Sequence, residues 1–104
     1  MVKISILYPN RQGARFDFDY YTQRHLPMVK ERLGPLGLSN ITVDKGMGGL
    51  APGSPAVYLT VASLQFTSIE ALQQGLAAHG AEILGDIPNY TDIQPVMQVS
   101  EILM

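Results

Sequence analysis

The chain has no cysteine, which excludes disulfides, thiol chemistry and every metal centre built on Cys ligands, and suits a reducing, cytoplasmic location. Charge is scarce: Asp, Glu, Lys and Arg make up 15% of the residues, against roughly 25% in a typical soluble domain. The seven Lys and Arg are scattered and the net charge is −2, so no basic patch exists to hold nucleic acid. No apolar run approaches membrane-spanning length, and Met1-Val2-Lys3-Ile4 lacks a signal-peptide pattern, so no membrane partner is expected. There is no His-x-x-x-His spacing and no tight carboxylate–histidine cluster, so no metal is expected. Gly46-Met47-Gly48-Gly49 is glycine-rich, but no Lys-Ser/Thr pair and no helix start follow. It reads as the connection of a long hairpin rather than a phosphate cradle. No pattern calls for haem or any other cofactor.

Hydrophobic residues are plentiful, at 46% of 104. That length is one domain, residues 1–104. A short chain with little charge and much apolar surface gains from a partner subunit. Val2, Ile4, Ile6 and Tyr8 alternate with other residues over a first strand, closed by the turn Pro9-Asn10-Arg11-Gln12-Gly13. A helix follows, capped by Asp17 or Asp19 and ended near Leu33 by Gly34-Pro35. Leu38 to Lys45 forms a second strand. Ala56 to Phe66 forms a third, apolar on both parities, with Val57, Leu59 and Val61 on one and Tyr58, Ala62, Leu64 and Phe66 on the other. Thr67 with Glu70 has the spacing of a capping box, and the helix behind it should weaken at Gly75 and Gly80. After the turn Asp86 to Thr91, Ile93 to Ile102 forms a fourth strand with Pro95 near its start.

The order β-α-β-β-α-β is that of the ferredoxin-like α+β sandwich, a four-stranded antiparallel sheet with two helices on one face. Two helices cover only one face, and the apolar second parity of strand three then predicts an association surface. A two-fold homodimer, with the two sheets packed face to face, is the expected solution.

The stretch Phe16 to Met28 is the candidate for chemistry, being either a site or a satisfied piece of core. At 3.6 residues per turn, Phe18, Tyr21, His25 and Met28 fall on one stripe, with Val29 and Arg32 close by. Pro27 cannot donate to the Gln23 carbonyl, so the helix should kink or restart there. His25 and the Tyr21 hydroxyl are thereby carried inward beside a local break. An imidazole titrates near neutral pH and can move a proton to or from a bound enol or phenol. The competing reading is a buried histidine bonded to a carbonyl, with the Gln23 oxygen as one acceptor. Tyr20 points about 100° away from Tyr21 and belongs to the helix edge or a dimer seam. His79 reads as a cation near a helix C-terminus, and Arg32 as the partner of solvent-side carboxylates.

The segment Phe18-Asp19-Tyr20-Tyr21-Thr22-Gln23-Arg24-His25-Leu26-Pro27 resembles the Tyr-Tyr-x-x-x-His-x-Pro helix of the EthD family, within the dimeric α/β-barrel superfamily. Leu64-Gln65-Phe66-Thr67-Ser68-Ile69-Glu70-Ala71-Leu72 is similar to that family's strand running into a capped helix. Asp86-Ile87-Pro88-Asn89-Tyr90-Thr91 resembles its Asp-Ile-x-Asn-Phe-Thr segment, with Tyr90 where Phe is usual. The resemblance implies a homodimeric barrel with a cavity between sheet and helices in each subunit. In the wider superfamily such cavities host cofactor-free oxygenation, cyclisation, dehydration and isomerisation. The expectation is therefore a small-molecule enzyme without a bound cofactor: an oxidoreductase, cyclase or isomerase acting on a planar hydroxylated or enolisable compound. His25 is the expected acid/base and Tyr21 its partner, with Tyr20, Met28, Asn89 and Tyr90 contacting a small apolar or aromatic ligand. The alternative is a non-catalytic accessory or ligand-binding protein of a degradative or biosynthetic pathway.

Overall fold

The computed structural model describes all 104 residues, Met1–Met104. Its elements are β1 (Val2–Pro9), α1 (Phe18–Tyr20), a π-helical segment (Tyr21–His25), α2 (Leu26–Leu33), β2 (Leu38–Lys45), β3 (Tyr58–Phe66), α3 (Ile69–Gly85) and β4 (Val96–Glu101). One-turn 3₁₀ helices at Gly34–Leu36 and Ile87–Asn89 end α2 and α3. The four strands form one antiparallel sheet in the order β2-β3-β1-β4. This is the α+β, ferredoxin-like arrangement expected from the element order.

Alternation along β1 sends Val2, Ile4, Ile6 and Tyr8 to the helix-covered face, where Ile4 and Tyr8 are buried. In β3 the inward set is Thr60, Ala62, Leu64 and Phe66, all buried. Two apolar clusters result. Ile4, Val29, Leu33, Leu64, Phe66, Leu72 and Ile83 join the sheet to α2 and α3, while Tyr8, Tyr21, Tyr90 and Ile93 form an aromatic group at the other end. Each large side chain fully buried here contributes about 1.5–3 kcal/mol. The opposite face is less apolar than β3 alone suggests. Register places Leu7, Val61 and Val96 together there, but Ser5, Ser63 and Gln98 make up the next row.

Pro27 does restart the helix, through a π turn. The Leu26 N–H bonds the Tyr21 carbonyl, five residues back, so the missing proline donor falls in the first turn of α2, where none is required. The wider turn changes the buried stripe. Residues four apart on an α-helix drift by about 40° per step; the π turn takes up part of that drift. Tyr21, His25, Val29 and Leu33 are consequently all buried, while Phe18 and Met28 are half-buried. Asp17 caps α1, accepting from the Tyr20 N–H at 3.0 Å.

The cap of α3 is Ser68, not Thr67. Its hydroxyl accepts from the Ala71 N–H at 3.1 Å. The Thr67 N–H is taken by the Gly37 carbonyl at 3.1 Å, which keeps Thr67 with the sheet and delays the helix by one residue. Gly37 itself has φ 104°, and a Cβ there would lie 2.7 Å from the Ala71 Cβ, so this junction requires glycine. Nor does α3 weaken at its glycines: it is continuous through Gly85. Its Ala, Leu, Gln and Glu content favours helix, and at Gly75 the bare backbone lets α2 and β3 come close. His79 therefore sits in the helix body rather than at its end, 4.0 Å from Glu82. Pro95 precedes β4, an edge strand, as its missing donor requires.

Candidate active site

The residues after α3 are stitched to the segment before α1. The Asp17 N–H donates to the Tyr90 carbonyl at 2.7 Å, the Arg15 N–H to Asp92 Oδ1 at 3.0 Å, and the Thr91 hydroxyl to the Arg15 carbonyl at 2.6 Å. Phe16 and Thr91 form an isolated bridge. These bonds hold the turn Asp86 to Tyr90 against the π segment, and so bring Asp86 and Tyr90 to His25.

His25 is 5% exposed. Its Nδ1 lies 2.9 Å from Asp86 Oδ2, so the expected competing partner, a backbone carbonyl, is not the one present. Asp86 Oδ1 accepts from the Tyr20 hydroxyl at 2.7 Å and from Asn89 Nδ2 at 2.8 Å. With the carboxylate accepting at Nδ1, the imidazole keeps its proton there and presents the Nε2 lone pair on the other side. The Tyr90 hydroxyl lies 3.5 Å from Nε2, a long contact. That hydroxyl is held much more closely by Tyr8, at 2.6 Å. Tyr21 does not bond to His25; its ring stacks on the imidazole, with centroids 5.6 Å apart and planes 14° apart.

Burial lowers the His25 pKa from its ordinary value, against a smaller opposing pull from Asp86, so the ring is neutral at pH 7. Desolvation pushes Asp86 upward, but hydrogen bonds from Asn89, Tyr20 and His25 together outweigh it and leave the carboxyl below its usual range. Burial raises the phenols of Tyr8, Tyr21 and Tyr90, so all three stay protonated. The result is an ionised carboxylate, a neutral imidazole and a set of phenolic donors.

His25 lines a cavity of about 220 Å³ between the sheet and α3. Ile4, Ile6 and Leu64 form its floor, and Leu76, Ile83 and Leu84 its roof. Met97 and Val99 of β4, 42% and 50% exposed, lie at its open side. Its only polar side chains are His25 and Tyr8; Gln98 borders it between Met97 and Val99 but has the outward parity of Ser5. A shallower groove shares Leu84, Ile87 and Met97 with this cavity but reaches no residue of the dyad. Asp86 faces a separate surface depression together with Tyr20, Arg24, Met28 and Asn89. Of the residues expected at the site, His25 alone lines the cavity. Tyr90 and Tyr21 touch it from behind, Tyr20 and Asn89 hold Asp86, and Met28 lies on the outer depression and against the core. Arg32 pairs with Glu82 and Glu31, at 3.1 and 3.2 Å.

Asp86 and Tyr8 were not singled out by sequence reasoning, yet each carried a signal. A carboxylate at a helix C-terminus opposes the helix dipole and needs a compensating donor. A tyrosine on the inward parity of β1 needs a buried partner for its hydroxyl.

No helix is long and apolar enough to cross a membrane, and no group of three or more His, Asp or Glu side chains is placed to hold a metal ion. Neither a protein-family model nor any curated protein matches the chain. Solved structures do. A cofactor-independent oxygenase from Streptomyces nogalater, SnoaB, is 10% identical with TM-score 0.61, over 99% of this chain and 92% of that one, and shares the fold. An ethyl tert-butyl ether degradation (EthD) family protein from Bacillus halodurans is 19% identical with TM-score 0.67, over 99% of both chains. An EthD-like protein from Ralstonia eutropha is 47% identical with TM-score 0.92, over 99% of this chain and 92% of that one. At that identity, over nearly the full length of both proteins, the chain belongs to the EthD-like family.

Proposed function

We propose that this protein is a small-molecule enzyme without a bound cofactor, in which His25 moves a proton on a planar hydroxylated or enolisable compound held in the cavity. One observation carries the reading: His25 is fixed through Nδ1 by Asp86, its Nε2 has only the distant Tyr90 hydroxyl at 3.5 Å, and the residue forms part of the wall of a largely apolar cavity. A contact that long is weak, so Nε2 can exchange the Tyr90 hydroxyl for a ligand proton at little cost.

In the proposed step, Nε2 takes a proton from an acidic O–H or C–H of the ligand. The electron pair stays on the ligand as a phenolate or enolate, and the new imidazolium is stabilised by Asp86. The Tyr8 hydroxyl, which also lines the cavity, donates to the developing oxyanion. Return of the proton to another atom gives isomerisation; attack of the enolate carbon on a carbonyl of the same molecule, whose oxygen then takes the proton, gives cyclisation; and electron transfer from the anion to dioxygen as co-substrate, followed by C–O bond formation, gives oxygenation. The fold shared with a cofactor-independent oxygenase is compatible with any of these. Tyr21 acts by stacking on the imidazole, and Tyr20 and Asn89 by fixing Asp86.

The protein acts as a homodimer in this reading. Leu7, Val61 and Val96 on the open sheet face, together with exposed Val57 and Leu103, supply the apolar contact. Light scattering at micromolar concentration should give twice the chain mass; a monomer removes the dimer from the account.

The catalytic reading is tested by thermal shift and turnover with phenols, naphthols, lactones and dienols, on wild type and His25→Ala. An enzyme binds a member of the panel in both forms and turns it over only as wild type. Binding that changes little, with no turnover in either form, identifies a carrier or accessory protein instead.

A further inference from the structure

Glycine is the least favoured helix residue after proline, yet α3 buries two in its interior, Gly75 and Gly80. Gly75 has a packing reason. A Cβ there would lie 3.1 Å from Leu33 Cδ2 and 3.5 Å from Phe66 Cε2. Gly80 has none. A Cβ there would meet only the Leu76 side chain of its own helix, at 3.7 and 4.0 Å, which is ordinary contact. Its φ is not positive, so the backbone does not require glycine either. What distinguishes Gly80 is its place: it is part of the wall of the His25 cavity. Space that packing leaves unfilled at this position is cavity space.

That space matters because the cavity is small. Its volume is about 220 Å³, so one added methyl removes a sensible share. Charge narrows the ligand further. No Lys or Arg lines the cavity, and the nearest ionised group is the Asp86 carboxylate behind His25. An anionic ligand would lose its hydration with no counter-charge in return.

We infer that Gly80 is a specificity-determining residue: its missing side chain makes room for the second ring of a compact, uncharged, hydroxyl-bearing ligand. This deepens the proposed function and rests on it for the hydroxyl, but the space itself can be tested without any hydroxyl. The probes are phenol, naphthol, naphthoate and xenon, and the variants are Gly80→Ala and Gly80→Leu. Xenon reports apolar volume regardless of chemistry.

In calorimetric titrations, wild type should bind naphthol and should bind naphthoate at least tenfold more weakly. Gly80→Ala should weaken naphthol at least threefold and phenol less. Gly80→Leu should abolish naphthol binding, and xenon-pressurised crystals should lose the atom beside residue 80. Gly80→Ala should melt about 2–6 °C higher, from the gain in helix propensity, which separates lost binding from lost folding. Naphthol bound equally by wild type and Gly80→Ala overturns the inference. So does an undiminished xenon site in Gly80→Leu. Xenon bound in wild type and lost in Gly80→Leu, with no phenol or naphthol binding, would leave Gly80 as the keeper of the space and remove the hydroxyl chemistry. Should Gly80→Leu fail to fold, Gly80→Ala decides by the same titrations.

Discussion

Replacing Asp86 by alanine tests how the dyad is built. The carboxylate accepts three side-chain hydrogen bonds, from His25, Tyr20 and Asn89. Tyr20 and Asn89 lie at the outer depression, where water replaces the lost acceptor at little cost. His25 is 5% exposed, and its Nδ1–H would be left without a partner, a penalty of about 1–3 kcal/mol. One effect runs the other way: removing a negative charge from the C-terminal end of α3 relieves about 0.3–1 kcal/mol of unfavourable dipole interaction. At mid-range the buried donor outweighs the dipole, and the net loss is about 1.4 kcal/mol, or about 6–11 °C in Tm for a domain of this size. Asp86→Asn keeps an oxygen for Nδ1–H and should lose less than half as much. Urea denaturation at pH 7.5 measures both. An Asp86→Ala protein as stable as wild type, or more stable, would mean that the dipole decides and that the carboxylate does not hold the imidazole.

Other predictions follow from the same structure. His25 has its pKa lowered in the fold, so the unfolded chain takes up a proton first. The stability that His25 contributes as a neutral group is complete above its unfolded value of about 6.5 and is lost as pH falls from there through the folded value. Asp86, also lowered, adds a second loss as pH falls through its own folded value. Denaturation midpoints should therefore drop from pH 7.5 to pH 5, and His25→Gln should flatten that slope; a midpoint unchanged over the range in wild type contradicts it. Ser68→Ala should cost about 1 kcal/mol and Thr67→Ala less than about 0.5 kcal/mol, measured by chemical denaturation; the reverse order would restore Thr67 as the cap. Gly75→Ala should gain nothing from its better helix propensity and lose up to about 2 kcal/mol, because the methyl crowds Leu33 and Phe66. A higher melting temperature for Gly75→Ala would show that α2 can move aside.

Much of the fold was legible because its signals are local. The inward parity of β1 follows from a period of two, and the limits of β2, Leu38–Lys45, were set by Gly37 before it and the glycine-rich loop after it. The failures have non-local causes. Thr67 and Ser68 are both good cap residues, and the choice between them is made by a backbone bond from Thr67 to Gly37, thirty residues away. The buried stripe of the first helical region was drawn at 3.6 residues per turn, whereas Pro27 is accommodated by a π turn that replaces Met28 in the stripe with Val29 and Leu33. The two glycines of α3 look like weak points by propensity, and Gly75 is explained by Leu33 and Phe66 opposite it. His25 was legible as a candidate because a histidine on an apolar stripe beside a break is unusual. Its partner was not, since Asp86 lies 61 positions away and meets it only once the turn after α3 docks on the segment before α1.

The proposed base role of His25 requires a neutral imidazole with its proton on Nδ1 and an Nε2 that a ligand can reach. Nitrogen-15 NMR of the imidazoles measures this directly, and with only two histidines in the chain a His79→Gln variant assigns the signals. His25 should show the Nδ1–H tautomer, a pKa below 6.5, and a shift of the Nε2 resonance when naphthol is added. An Nε2–H tautomer, or an Nε2 resonance unmoved by naphthol at a concentration that saturates the protein, would contradict the base role.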